Sequence, residues 1–351
     1  MRITVLPVSG GGFCSQLSIL SCLPEHPKIM MATSGGNLAA YIGMAADFDE
    51  YHICRLLGCI KTEMFLKNWW PTPFKFLPSW IAGYGRGAYY NHGSGVCEIY
   101  NKIFNSSTIG RSEIWTGVTD CSLAKAQIFC NRPQESCSVD IKNYPNEYYT
   151  SPLVHLNGCI DDIATVCLAS CAIPSIIPPV NFKSHQYSDG GSTFASPLTP
   201  MSCLLCNKEK IHIDYINSFD IEAPGTLCLN TIESYIRDAT TKMIQSMTLA
   251  DRANGINLVA GNQKSKLKRV DFGCCQGVLP DIYKFRKHCK RSMVEIFPCT
   301  YMAIDYSNYN PEEAKKIFWT DRSKFKCRLW YVGDKDFNEE YPDTVGECSY
   351  P

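Results

Sequence analysis

The sequence lacks an excess of charge of either sign: 34 Lys and Arg offset 34 Asp and Glu in 351 residues. Without a basic surplus there is no electrostatic argument for a nucleic-acid partner, whose phosphates are held by clustered cations. No apolar run is long enough to cross a bilayer, so no transmembrane helix is expected. The opening MRITVLPVSGGG has neither a long apolar core nor a cleavage site and reads as a first strand, not a signal peptide. Internal repeats and low-complexity stretches are missing too. No GK[ST] follows the glycines, as a P-loop requires, and neither an HExxH pair nor an EF-hand loop occurs. These absences leave a globular chain whose expected place is the cytoplasm, with peripheral membrane association.

Cysteine, by contrast, is plentiful, with 20 residues scattered in no framework. That pattern favours reduced thiols over disulfides. Cys203 and Cys206 form the one CxxC, and His212 is the only further ligand near them. A zinc site needs a fuller set, so these thiols, like the vicinal Cys274 and Cys275, read as small buried hydrophobes.

Strand-like and helix-like stretches alternate from the start. Residues 3–8 read as a strand, Gly10–Gly12 as a turn and residues 16–23 as a helix; residues 29–32, 34–36 and 37–46 repeat the unit. Two such units in succession indicate an α/β sheet with parallel strands. Further on, EIWTGVTD, KAQIFCN, HIDYIN and MVEIFPCTYMAIDYS read as strands. DDIATVCLASCAI, residues 231–259 and NPEEAKKIFWT read as helices, the last with its proline and acids in the first turn. Residues 61–95 are dense in Trp, Phe, Pro and Gly, and their prolines exclude one long helix. Residues 326–351 are polar and read as an exposed tail beyond a domain of residues 1–325.

Three turns rich in glycine carry the chemistry. In KIMMATSGGNLAAYIG an apolar run stops at Ser34. A serine at a sharp strand-to-helix turn presents its hydroxyl on a strained backbone that needs small neighbours, and Ala32, Gly35 and Gly36 supply them. The same residues also describe a plain serine N-cap. In VSGGGFCSQLSIL, Gly10, Gly11 and Gly12 leave bare amides before a helix, suited to a phosphate or an oxyanion. A dinucleotide fingerprint fails there, because its last glycine and its downstream acid are missing. In QYSDGGSTFASP, Asp189 precedes Gly190 and Gly191, as a common Asp-Gly turn or as a carboxylate on a loop passing close to another.

In this order the three turns resemble the motifs of the patatin-like phospholipases, serine lipid acyl hydrolases with a Ser–Asp dyad. GRGAYYNHG, WTGVTDCSLAKAQIFCN and LASCAIPSIIPPV are similar to further family segments. The resemblance covers residues 1–200 and continues in pattern over 205–325. It implies a three-layer fold, a central mostly parallel sheet with helices on both faces. It implies Ser34 as nucleophile, Asp189 as base, Gly10, Gly11 and Gly12 as the oxyanion loop, and Ala32, Gly35, Gly36, Gly190 and Gly191 as support. The implied substrate is an acyl lipid at a membrane or lipid surface, with no metal and no cofactor. A carboxylate is a weak base at its reference pKa of about 3.9, and burial beside an acyl channel is expected to raise it.

Two departures from the family stand out. Ala32 replaces the first glycine of G-x-S-x-G. Phe13, Cys14 and Ser15 stand where the family has a basic residue, then glycine, behind its oxyanion loop. This second departure favours a rival reading, a catalytically weak or inactive lipid-binding module. Another rival is a Ser-His-Asp esterase using His212, in a strand, or His288, on a basic helix face. For membrane contact, Trp69 and Trp70 lead an aromatic group with Phe65, Phe74, Phe76 and Trp80 that either covers the sheet or meets lipid. The basic run of residues 284–291 faces either an anionic surface or solvent.

Overall fold

Alternate residues of the first strand, β1 (Arg2–Leu6), enter different cores. Ile3 and Val5 join one buried cluster and Leu6 the other. The neighbouring strand β2 (Ile29–Thr33) does the same, Ile29 and Met31 on one face, Met30 and Ala32 on the other. Strands apolar on both faces need helices on both sides. The computed structural model describes residues 1–67, 88, 90–92, 111–139, 150–223, 232–273 and 276–344.

The remaining strands are β3 (Leu66–Lys67), β4 (Asn91–His92), β5 (Glu113–Asp120), β6 (Lys125–Cys130), β7 (Val154–His155), β8 (Val180–Phe182), β9 (His185–Asp189), β10 (Ile211–Ile216), β11 (Leu267–Phe272), β12 (Arg291–Pro298) and β13 (Phe325–Val332). Strands β3 and β4 pair alone; the others form an eleven-stranded sheet ordered β11, β13, β12, β10, β1, β2, β5, β6, β7, with β9 on the end of β5 and β8 on β9. The central run from β12 through β10, β1 and β2 to β5 is parallel. Both flanks turn antiparallel, at β13 and at β6.

One face carries α1 (Phe13–Leu20), α2 (Gly35–Ala45), α3 (Glu50–Cys59), α4 (Thr62–Phe65), α5 (Ile160–Ser170), and later helices that include Ile282 and Phe318. The other face carries α6 (Leu198–Leu205) and the end of α7 (Ile232–Ala260). The three-layer α/β architecture expected from the resemblance is therefore present. The later helices of the first face are α8 (Leu279–Arg286) and α9 (Pro311–Ser323). The start of α9 is capped as its sequence suggests, Asn310 accepting from the Glu312 amide.

Two expectations need correction. Residues 326–351 are not simply a tail: β13 lies between β11 and β12, with Leu329 and Tyr331 fully buried. The segment FKCRLWYV carries only two charges, and that of Arg328 is matched within the fold, by Glu295 and Asp220. The basic run 284–291 is not one charged face either. Arg286 is buried against Asp214, and Arg291 opens β12 and donates to the carbonyls of Leu258, Cys206 and Lys208. Phe65 is buried, while Trp69, Trp70, Phe74, Phe76, Trp80, Cys274 and Cys275 lie outside the described residues. The described cysteines are free thiols apart from Cys327 in β13, which is disulfide-bonded.

The placement of β13 is checked by Leu329→Ala. A core strand residue should cost roughly 2–5 kcal/mol in urea unfolding, whereas a residue of an exposed tail would leave the midpoint unmoved.

Candidate active site

Strand β2 ends at Thr33 and α2 begins at Gly35, so Ser34 alone must turn the chain. It does so at φ 55° and ψ −128°, a conformation that costs an L-residue on the order of 1–3 kcal/mol. Its surroundings hold it there. The Ser34 amide donates to Ser170 Oγ at 2.9 Å, and Ser170 Oγ donates on to the Gly117 carbonyl at 2.8 Å. A Cβ on Gly35 would lie 2.4 Å from the Gly10 carbonyl oxygen, and one on Gly36 would lie 2.3 Å from that of Leu6. Both positions therefore require glycine. Ala32 is buried in β2 without a positive φ, so its methyl group is tolerated.

The Ser34 hydroxyl does not cap α2. It donates instead to Asp189 Oδ2 at 2.6 Å. The sheet makes this meeting across 155 residues. Thr33 is opposite Gly117 in the β2–β5 pair, and Asp189 is opposite Val118 in the β5–β9 pair. Gly190 then passes so close that its Cβ would lie 2.5 Å from the Gly117 carbonyl oxygen. The Gly191 amide donates to the other carboxylate oxygen at 2.7 Å. Burial pushes the Asp189 carboxyl up to about 6, against the lowering effect of those two hydrogen bonds.

A short Ser–Asp contact and a raised carboxyl are not by themselves distinctive here. Ser15 donates to Asp321 and Ser196 to Asp251, both at 2.5 Å, and burial pushes each aspartate up to about 6. Ser15 lies inside α1, and Asp251 is shared with Thr199 and Tyr215. Neither serine has the positive φ of Ser34.

The glycine turn lies against the start of α2: the Gly10 amide nitrogen is 3.0 Å from where a Cβ on Gly35 would be. The Gly12 amide is spent on the Ser9 carbonyl at 2.9 Å. Those of Gly10 and Gly11 have no acceptor among the described residues. Ile304 donates its amide to the Gly11 carbonyl at 3.0 Å, and Tyr306 donates its hydroxyl to the Gly10 carbonyl at 2.5 Å. The Tyr306 ring stacks on Phe13, centroids 6.1 Å apart, and meets Phe65 edge-on at 4.8 Å. Phe13, in the place of the family's basic residue, thus props the residue that holds the loop. No local pattern in the sequence marks Ile304 or Tyr306, which lie nearly the whole chain away.

No histidine hydrogen-bonds Ser34 or Asp189 among the described residues. His212 Nδ1 faces Ser292 Oγ at 2.8 Å, and burial with nearby Arg286 pushes its pKa down to about 3. His288 lines a surface cavity with Glu209, Lys266 and Lys290. Cys203 and Cys206 point their thiols at the carbonyls of Pro200 and Cys203, so they do not gather with His212.

The titration of Asp189 has a stability consequence. Its carboxyl holds a proton to about pH 6 when folded but only to 3.8 when unfolded. That stabilises the fold below pH 4 and is lost as the pH rises through 6, roughly 3 kcal/mol in all. Asp251 and Asp321 act in the same direction. Asp189→Asn should therefore shrink, without abolishing, the fall in unfolding free energy between pH 4 and 7, measured by urea titration at each pH. An unchanged slope would contradict the burial-raised carboxyl.

The family model for patatin-like phospholipases matches residues 8–201, more than half of the chain. No individual curated protein gives a significant match. The matched span holds the glycine turn, Ser34 at its strained turn and Asp189 within hydrogen-bonding distance of it, and on that match the chain belongs to the patatin-like phospholipase family.

Proposed function

We propose that this protein is a serine lipid acyl hydrolase that cleaves carboxylic esters of acyl lipids through a Ser34–Asp189 dyad. The observation that carries this reading is the 2.6 Å hydrogen bond from a serine on a strained turn to a buried carboxylate. A serine hydroxyl becomes an effective nucleophile only when a base takes its proton during attack. Asp189 Oδ2 is placed to take it, and a carboxyl pushed up to about 6 is a better base than an exposed one.

Ser34 Oγ attacks the ester carbonyl carbon while its proton passes to Asp189. The developing oxyanion is held by the amides of Gly10 and Gly11, the two in the glycine turn with no other acceptor among the described residues. Each such donor is typically worth about 3–4 kcal/mol. Gly12 drops out of the oxyanion set, because its amide is already donated to Ser9. The protonated Asp189 then gives its proton to the leaving alcohol. Water attacks the acyl-enzyme as Asp189 takes its proton, and Asp189 passes that proton to Ser34 Oγ as the fatty acid leaves.

The missing basic residue favours a weak or inactive module, and Tyr306 answers it, since its hydroxyl holds the Gly10 carbonyl. A Ser-His-Asp mechanism has no histidine hydrogen-bonded to Ser34 or Asp189 among the described residues. Acyl lipid at a membrane or lipid surface is the proposed substrate. No helix of the described residues is long and apolar enough to cross a membrane.

Ser34→Ala and Asp189→Asn should each lower hydrolysis of a soluble ester by roughly a thousandfold or more, with folding intact by circular dichroism. Ser34→Ala should also lose labelling by a fluorophosphonate. His212→Ala and His288→Ala should keep turnover; loss in either, in a folded protein, transfers the mechanism to the triad. The pH profile provides a second check. Below about pH 6 a protonated Asp189 accepts no proton, so kcat/KM for the soluble ester should fall about tenfold per pH unit. A flat profile from pH 4.5 to 8 would count against an aspartate base. Tyr306→Phe removes one hydrogen bond from the loop, worth about 1 kcal/mol, so kcat should drop several-fold with KM little changed.

A further inference from the structure

We propose that Cys130, Cys137 and His155 form a binding site for a soft divalent metal ion of the zinc type, separate from the Ser34–Asp189 site. The three donor atoms lie within 4.8 Å of one another. Cys130 Sγ and Cys137 Sγ are 3.5 Å apart, and Cys137 Sγ is 3.7 Å from His155 Nδ1. A tetrahedral zinc ion, with Zn–S of about 2.3 Å and Zn–N of about 2.0–2.1 Å, sets S···S near 3.8 Å and S···N near 3.6 Å. Two of the three separations therefore approximate the edges of such a tetrahedron, and the third, between Cys130 Sγ and the His155 nitrogen, is within 4.8 Å.

The fold builds this convergence from three elements. Cys130 ends β6 and is the register partner of His155 in β7, which places them side by side. The short turn Gln134–Ser136 folds the chain back and brings Cys137 over them. The segment after it is pinned, the Ser138 amide donating to Glu113 Oε2 at 2.7 Å. The other Glu113 oxygen accepts from Trp115 Nε1 at 2.7 Å, and Trp115 stands edge-on to the His155 ring, centroids 5.9 Å apart.

The backbone of Arg132 meets two of the three donors. The Arg132 amide points at Cys130 Sγ at 3.5 Å, a contact that favours a thiolate, and the Arg132 carbonyl is 2.9 Å from His155 Nδ1. That carbonyl accepts from the same ring nitrogen that faces Cys137 Sγ, so a metal held on Nδ1 would displace this hydrogen bond. His155 Nε2 is buried with no partner among the described residues. Packing as a small hydrophobe explains a buried thiol such as Cys14. It does not explain two thiols gathered with an imidazole.

Binding would release the two thiol protons, and water or a further donor would complete the tetrahedron. The ion takes no part in ester hydrolysis. Its effect would be to fasten β7, two residues long, to β6 and to the 131–139 segment.

The test is metal analysis of the purified full chain, kept reduced and dialysed against zinc-buffered solution. One zinc per chain is expected, removed by a chelator with a lower melting temperature and unchanged ester hydrolysis below that temperature. Cys137→Ser and His155→Ala should each weaken zinc affinity at least tenfold, while Cys203→Ser should not. The cobalt-substituted protein should show a thiolate-to-cobalt charge-transfer band that Cys137→Ser loses. A reduced, folded protein that takes up no zinc, or takes it up equally in Cys137→Ser and His155→Ala, would overturn the proposal. So would recovery of Cys130 and Cys137 as a disulfide that, once reduced, still binds no metal.

Discussion

The hydrogen bond between Ser34 and Asp189 depends on strand register more than on anything local. Ser34 follows a strand paired in parallel with β5, and Asp189 ends a strand paired antiparallel with the next residue of β5. A side-chain period of two means that a slip of one residue in either pair turns a core side chain to the opposite face. Met30 and Ala32 on one side and Ile29 and Met31 on the other fix β2 against such a slip. The packed sheet thus supplies what the site needs, two polar side chains brought together in a place where neither would choose to be buried.

Two buried aspartates of the same sheet show how the surroundings decide the chemistry. Burial acts on Asp214 and on Asp189 in the same direction. At Asp214 it is overcome by Arg286 and Arg2, whose charges and hydrogen bonds hold the carboxyl down to about 2. At Asp189 the compensation is one serine hydroxyl and one amide, and the carboxyl rises to about 6. The signs for stability are therefore opposite. Asp214 stabilises the fold above the unfolded carboxyl value and loses that contribution only as the pH falls toward 2, whereas Asp189 costs stability at neutral pH. A residue that costs the fold free energy at working pH is a common mark of a functional site. Asp251 and Asp321 show that burial also raises carboxyls elsewhere in the fold, so backbone geometry must share the argument.

The Gly10–Gly12 turn, close to the start of α2, is held from the far end of the chain. Tyr306 and Ile304 grip the carbonyls of Gly10 and Gly11; the Gly10 carbonyl shares its trans peptide unit with the Gly11 amide, which therefore points away from Tyr306. A carbonyl that accepts a hydrogen bond also polarises its peptide plane, which favours donation elsewhere by the network it joins. The aromatic contact of Phe13, Phe65 and Tyr306 fixes this arrangement by packing, where a basic residue would fix it by charge.

The alternation of apolar strands, glycine turns and small-residue helices determined the α/β class, because periodicity and turn chemistry are local. The order of the turns around Gly10, Ser34 and Asp189 determined the family, and with it the two residues of the dyad as an expectation. Local signals failed where pairing over long distance matters. FKCRLWYV reads as part of a tail because the partners of its Arg328, Glu295 and Asp220, lie on other strands and loops. The run 284–291 looked like one basic face because nothing near it in sequence announces that Asp214 takes up Arg286. Only the tertiary structure decided that Gly12 is already engaged, that Tyr306 holds the loop, and that Cys130, Cys137 and His155 converge where the one CxxC does not. Each of these rests on a contact between distant segments, set by sheet order and register, which a single sequence does not encode in any local pattern.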